Sequence, residues 1–183
     1  MLNKKVGSLK VKSQKKQIVT VGGGSGQFVL LSGLKDLKGI EITAVVSMAD
    51  SGGSTGRIRD ELGILPPGDV LKCILALSRY RDILRSILLK RFSGDPFLEG
   101  HNAGNMLLTM LSRHTGSFPA AVQALAEILD VQGTILPVTV DQATLVAELT
   151  DGSHIYGERA IDEPRGTQRE KIRKVFLVPH HAD

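Results

Sequence analysis

The sequence predicts an α/β fold: a parallel sheet with a helical insert and a short β-meander. Three observations predict it. An apolar segment, Gln17–Val21, runs through Gly22-Gly23-Gly24-Ser25-Gly26 into residues with helical spacing. A second run rich in β-branched residues, Ile40–Ser47, follows that helix. The middle of the chain then carries helical periodicity, and its end returns to short runs separated by turn residues.

Taken in order, Gln17–Val21 reads as a short buried strand. Phe28, Leu30, Leu31 and Leu34 fall at helical spacing, and Gly39 marks the turn that follows. With Ile40–Ser47 this makes a βαβ unit, whose strands are expected to be parallel and whose crossover is right-handed. Met48–Gly56 is polar and glycine-rich and reads as a loop. Pro66 and Pro67 bar a continuous helix, and Asp69 is a candidate N-cap. Helices are expected over Val70–Leu77, Ile83–Leu89, Ala103–Arg113 and Phe118–Leu129. Thr134–Val140, Ala143–Thr150 and Ser153–Gly157 read as a meander, with Asp151-Gly152 as a strong hairpin turn. Lys174–Pro179 is a last strand with no helix behind it, so one sheet face is expected to lie open unless something else packs there.

Composition removes several function classes. Of 183 residues 42% are apolar, enough for the core of a single domain. No apolar run approaches the ~20 residues that cross a bilayer, so no membrane span is expected. The N-terminus lacks the apolar segment of a secretory signal, and Cys73 stands alone. A reducing, cytoplasmic location is the expectation. The net charge of +4 misleads, because six lysines fall in the first 16 residues and leave 17 basic against 19 acidic side chains beyond them. Residues 1–16 are therefore expected to be a disordered basic arm, and 17–183 a near-neutral single domain. With two Tyr and no Trp, nucleic acid is not the expected partner.

Three constellations carry chemistry. At the end of the first strand, Gly22, Gly23, Gly24, Ser25 and Gly26 leave the backbone bare. Such a turn can present several N–H groups to an anion, and the helix behind it adds its positive end. The spacing does not match the dinucleotide fingerprint, since Gln27 or Val29 stands where the third glycine belongs. A Walker A loop is excluded because no lysine follows the glycines. The second constellation is Asp50-Ser51-Gly52-Gly53-Ser54-Thr55-Gly56-Arg57. Its amides, hydroxyls and Arg57 suit phosphate oxygens, and Asp50 suits a ribose hydroxyl or Mg²⁺, with Asp60 and Asp69 as further carboxylates. The third is Gly100–Asn105, opening an apolar helix. Asn102 is a candidate N-cap there, and His101 and Asn105 can face the mouth of the sheet. The remaining histidines lack metal-ligand spacing, and Cys73 reads as core.

GGGSG at 22–26, ADSGGSTGRIRDELGILPPGD at 49–69 and GHNAGN at 100–105, with LPVT at 136–139 and KVFLVP at 174–179, resemble the YvcK-like gluconeogenesis-factor family (UPF0052) of the CofD-like superfamily. The resemblance implies a modified Rossmann-like fold. It implies a regulatory protein that binds UDP-sugars such as UDP-N-acetylglucosamine and affects cell shape and growth on gluconeogenic carbon sources, with no required cofactor. A homo-oligomer or a protein partner fits that role. The nucleotide phosphates would lie near Gly23, Gly24, Ser25 and Gly26. Asp50, Ser51, Gly52, Gly53 and Ser54 would face them, and His101, Asn102 and Asn105 would close the pocket. The alternative is a CofD-like transferase of a phospho-acid moiety from a nucleotide diphosphate donor, with Asp50 and Asp60 holding Mg²⁺. The family carries a GPGSLYTS-like motif after its KVFLVP strand; this chain stops first, so its domain is expected to be incomplete at the C-terminus.

Overall fold

The computed structural model describes residues 15–96, 98–163 and 169–179. The basic arm lies outside them except for Lys15 and Lys16, and Lys16 opens the first strand rather than closing the arm. The parallel sheet comprises β1 (Lys16–Gly22), β2 (Ile40–Val46) and β3 (Thr134–Pro137), in spatial order β1-β2-β3. Its pairing runs Lys16–Ile40 to Gly22–Val46 on one edge of β2 and Thr43–Thr134 to Val46–Pro137 on the other. Helix α1 (Gly24–Leu34) crosses from β1 to β2. Five helices intervene before β3: α2 (Gly53–Leu62), α3 (Gly68–Leu77), α4 (Arg81–Leu88), α5 (Ala103–Thr115) and α6 (Phe118–Ile128). A separate antiparallel sheet, in order β5-β4-β6, holds β4 (Thr144–Leu149), β5 (His154–Tyr156) and β6 (Ile172–Val178), with the short helix α7 (Glu158–Asp162) following β5.

Helix α3 is the centre of the core. Every residue from Val70 to Leu77 except Lys72 is buried, the pattern of a helix packed on all sides. The inward faces of β2 and β3, through Ile42, Ala44, Val46 and Ile135, close on it, with Leu31 of α1, Leu108 of α5 and Leu125 of α6. Gly104 lets α5 approach closely, because a Cβ there would lie 2.5 Å from Leu71 Cδ2. Cys73 belongs to this core as expected, and burial, with Asp69 nearby, pushes its thiol up to about 12. It stays protonated and unreactive there.

Four expectations are corrected. Residues 53–56, the end of the loop expected over Met48–Gly56, open α2 (Gly53–Leu62) instead. Glycines and hydroxyls give this segment little intrinsic helicity, but Ile58 and Leu62, four residues apart, pack into the core, and Gly63 at φ +64° ends the helix. Tertiary burial outweighs propensity there. Asp69 is not the N-cap of α3, a place taken by Pro67; it lies in the first turn. Helix α1 buries Gln27 and Leu31 while Leu30 is exposed, and the Gln27 amide donates to the Val45 carbonyl at 3.5 Å. Finally, β3 does not belong to the meander. It returns from α6 to pair in parallel with β2, guided by the Gln132 amide donating to the Leu77 carbonyl at 2.9 Å. The meander that remains is β4–β5 with β6 added on the other edge of β4.

All the helices packed on the parallel sheet lie on one face. On the other face Val19 is 62% and Val21 74% exposed, in register with Thr43–Thr134 and Val45–Leu136. Parallel sheets are ordinarily covered on both faces. This one leaves a bare apolar face among the described residues, although the strand from which an open face was expected, Lys174–Pro179, is β6 of the other sheet, paired antiparallel with β4.

Candidate functional site

The carboxyl end of the parallel sheet gathers the three constellations. β1 ends at Gly22, whose φ of +157° favours glycine, and Gly24 opens α1 at φ +65°. Gly23 is the N-cap and no side chain caps the helix, so its first amides are not spent on a capping group. Gly24 and Gly26 therefore stand in the first turn of α1, with Ser25 exposed between them. The carboxylate of Asp69 lies against this turn: a Cβ on Gly23 would come 2.5 Å from its Oδ2 and 3.2 Å from Ser47 Cβ. Asp69 is itself held by Lys72 at 2.9 Å.

The second segment is tied to the first at the sheet edge, where the Ser47 amide donates to the Gly22 carbonyl at 2.9 Å. The chain then folds on itself. Asp50 Oδ1 accepts the Gly52 amide at 2.8 Å, and the Gly56 amide donates to the Gly52 carbonyl at 3.2 Å. Asp50 Oδ2 faces Gly68, at 3.1 Å from where a Cβ would stand, with Thr55 Oγ1 at 2.4 Å from the same point. The start of α3 can approach this loop only because residue 68 has no side chain. Gly53 and Ser54 form the first turn of α2, so the loop expected over 50–57 is half loop and half helix.

The third segment meets the second through buried polar side chains. His101 Nδ1 lies 2.8 Å from Ser54 Oγ, and Asn105 Nδ2 donates to the same oxygen at 3.4 Å. The serine oxygen can both donate and accept, so the direction of its bond to His101 follows the ring tautomer. Asn102 caps α5 as expected, its Oδ1 accepting the Asn105 amide at 2.8 Å. Arg57 is exposed and donates to the Glu99 carbonyl at 2.8 Å, bracing the loop ahead of α5. Helices α1, α2, α3 and α5 thus begin at one edge of the sheet, and their amino-terminal ends supply a field that favours an anion.

Residues that sequence reasoning missed enter from the second sheet. The Ser51 amide donates to Glu158 Oε2 at 3.4 Å, and the Arg159 amide donates to Ser51 Oγ at 3.1 Å. Burial, then the Asp50 charge, holds the Glu158 carboxyl above its usual range, against the lowering effect of the Ser51 amide. Nothing in GERA at 157–160 signals this role; α7 reaches the site only because the β4–β5 hairpin turns back toward it. Lys72 was also missed, hidden in an apolar helix pattern. Among the described residues, no three His, Cys, Asp or Glu side chains are arranged to hold a metal. The side chain of Asp60 lies outside the described residues, and Asp50 has one oxygen committed to Gly52.

No helix among the described residues is long and apolar enough to cross a membrane. A family model described as 2-phospho-L-lactate transferase CofD matches residues 18–183. The gluconeogenesis factor of Bacillus subtilis is 41% identical over 170 residues, 93% of this chain and 52% of its own length. That of Listeria monocytogenes is 39% identical over 171 residues, again 93% of this chain and 52% of its own. The crystal structure of protein BH3568 from Bacillus halodurans superposes with a TM-score of 0.83 at 40% identity, covering 92% of this chain and 53% of that one. A second structure of that protein is described as a member of the UPF0052 family. The chain spans about half the length of the curated relatives it matches. It belongs to the CofD family, in the branch of the gluconeogenesis factors.

Proposed function

We propose that this chain binds a nucleotide sugar, a UDP-sugar such as UDP-N-acetylglucosamine, and acts in the cytoplasm as a regulatory protein of carbon metabolism and cell shape. It would act through a protein partner or its own oligomer. One observation carries the reading: three segments distant in sequence meet at the carboxyl end of the sheet, joined by the Ser47–Gly22 and Ser54–His101 hydrogen bonds. A diphosphate needs several donors and little else, and the uncapped start of α1 beside the Asp50 loop offers them. In open α/β sheets this is the edge where ligands bind. Asp50 has its second carboxylate oxygen directed toward Gly68 and suits a ribose hydroxyl. Binding in this reading relies on backbone amides and requires no metal.

The description of the matching family favours a second reading, a transferase that moves a phospho-acid group from a nucleotide diphosphate. Asp50 would then act on the diphosphate side together with Asp60 and Mg²⁺. The described carboxylates do not converge as a metal site. Thermal-shift titrations with UDP-N-acetylglucosamine, UDP, GDP and NAD, each with and without Mg²⁺, separate the readings. The binder predicts a rise in Tm with the UDP compounds, little changed by Mg²⁺, and no product. No shift with any nucleotide would sink it, and metal-dependent turnover of a GDP-linked donor would favour the transferase.

A further inference from the structure

The parallel sheet has an open edge beside its open face, and β1 belongs to both. In the order β1-β2-β3, one edge of β1 meets no other strand among the described residues. The row Thr20–Ala44–Ile135 is buried and faces the helices. The opposite face changes character along the strands. At its amino end the Gln17 side-chain amide donates to Glu41 at 2.7 Å, which makes a polar row. Toward its carboxyl end Val19 stands beside Thr43, and Val21 beside Val45 and Leu136. Val19, Val21 and Leu136 are all exposed. The bare apolar surface is therefore concentrated where β1 is also unpaired.

An exposed apolar edge strand is a template for a further strand. Crossovers between parallel strands are right-handed, so the direction in which strands are added decides which face their helices cover. From β1 through β2 to β3 the sheet grows one way, and its helices lie on one face. Strands added on the other side of β1 would have to place their helices on the bare face. That is the second half of a doubly wound sheet, with β1 at the switch point. About half of the length of the Bacillus subtilis factor, and of BH3568, lies outside the part that this chain matches. Those relatives thus carry enough additional polypeptide to fill both vacancies. Under a two-fold axis a second copy of this chain would meet the surface with the same bare sheet and supply no helix.

We propose that the open edge and face of β1 are a docking surface for polypeptide of the kind these relatives carry outside the matched part. It enters as a parallel strand beside β1, with a helix over Val19, Val21, Val45 and Leu136, and turns β1 from an edge strand into a central one. The proposal does not depend on the nucleotide reading.

Co-expression of the full chain with the part of BH3568 outside the matched region, carried on a second, tagged polypeptide, tests it. The expected result is an equimolar complex on size-exclusion chromatography, with amide exchange in residues 17–21 slowed about tenfold or more relative to the chain alone. Val19→Lys and Val21→Lys should each leave the Tm of the chain alone within about 2 °C, because both sites are exposed there. In the complex each lysine would be buried against apolar surface, and recovery of complex should fall about tenfold or more. Should the second polypeptide be insoluble, joining the two by a flexible linker gives the same exchange measurement. A complex that survives both lysine variants overturns the proposal, and so does unchanged exchange at 17–21 in the complex or the fusion. Soluble polypeptides that do not associate overturn it too, as does a homodimer of the chain that the lysine variants dissolve.

Discussion

Gly56→Ala is expected to destabilise the protein by about 2–3 kcal/mol, against the sign that helix propensity alone would give. Gly56 lies within α2, where alanine normally improves stability by about 1 kcal/mol over glycine. Here a Cβ would stand 2.4 Å from the Ser51 carbonyl oxygen and 3.0 Å from its carbon. Those are backbone atoms, fixed by the Asp50 turn and by the contact of Ser51 with α7. Relief therefore requires the loop between β2 and α2 to move, and overpacking of this kind costs about 1–3 kcal/mol or more. For a domain of this size the corresponding fall in Tm is about 4–10 °C. Affinity for UDP should fall as well, because the displaced loop carries Asp50, Ser51 and Gly52. Thermal melts and the same titrations measure both. A neutral or stabilised Gly56→Ala protein would show that the close approach of Ser51 to α2 is not real.

The second large effect is expected at the Ser54–His101 pair. Both side chains are buried, at 4% and 5% exposure, and they join the start of α2 to the loop ahead of α5. His101→Ala removes a buried ring and the hydrogen-bond partner of Ser54 Oγ. The void and the unpaired hydroxyl together should cost about 2–4 kcal/mol. Ser54→Ala removes less volume and should cost about 1–2 kcal/mol, chiefly the bond and its effect on Asn105. The double variant should be less destabilised than the sum of the two, by about 1 kcal/mol, since each single change already breaks the shared bond. Urea unfolding of the four proteins gives this cycle directly. Strict additivity would mean that the two side chains do not interact.

Much of the fold was legible because its signals are local. The β1–α1–β2 unit shows itself through two apolar runs and a glycine turn, and the Asn102 cap and the Asp151-Gly152 hairpin are set by nearby residues. What stayed hidden depends on distant packing. α2 owes its helix to Ile58 and Leu62 finding a core, which the glycines of that stretch conceal. β3 is a parallel strand only because five helices return the chain to β2, and nothing in TILP tells that partner from a hairpin neighbour. The site follows the same division. Glycines and polar residues at 22–26, 50–54 and 101–105 mark themselves, and the sheet brings them to one edge. Asp69 against Gly23, and Glu158 and Arg159 against Ser51, were not legible, since each contact is made by a residue of ordinary type on an element placed by tertiary structure.

The central claim is that the three segments form one nucleotide pocket, and hydrogen–deuterium exchange with and without UDP-N-acetylglucosamine tests it most directly. The account predicts that saturating ligand slows exchange together in the backbone of residues 22–26, 50–56 and 101–105, with a common dependence on concentration. Protection of one segment alone, or protection elsewhere while these three exchange unchanged, would contradict it.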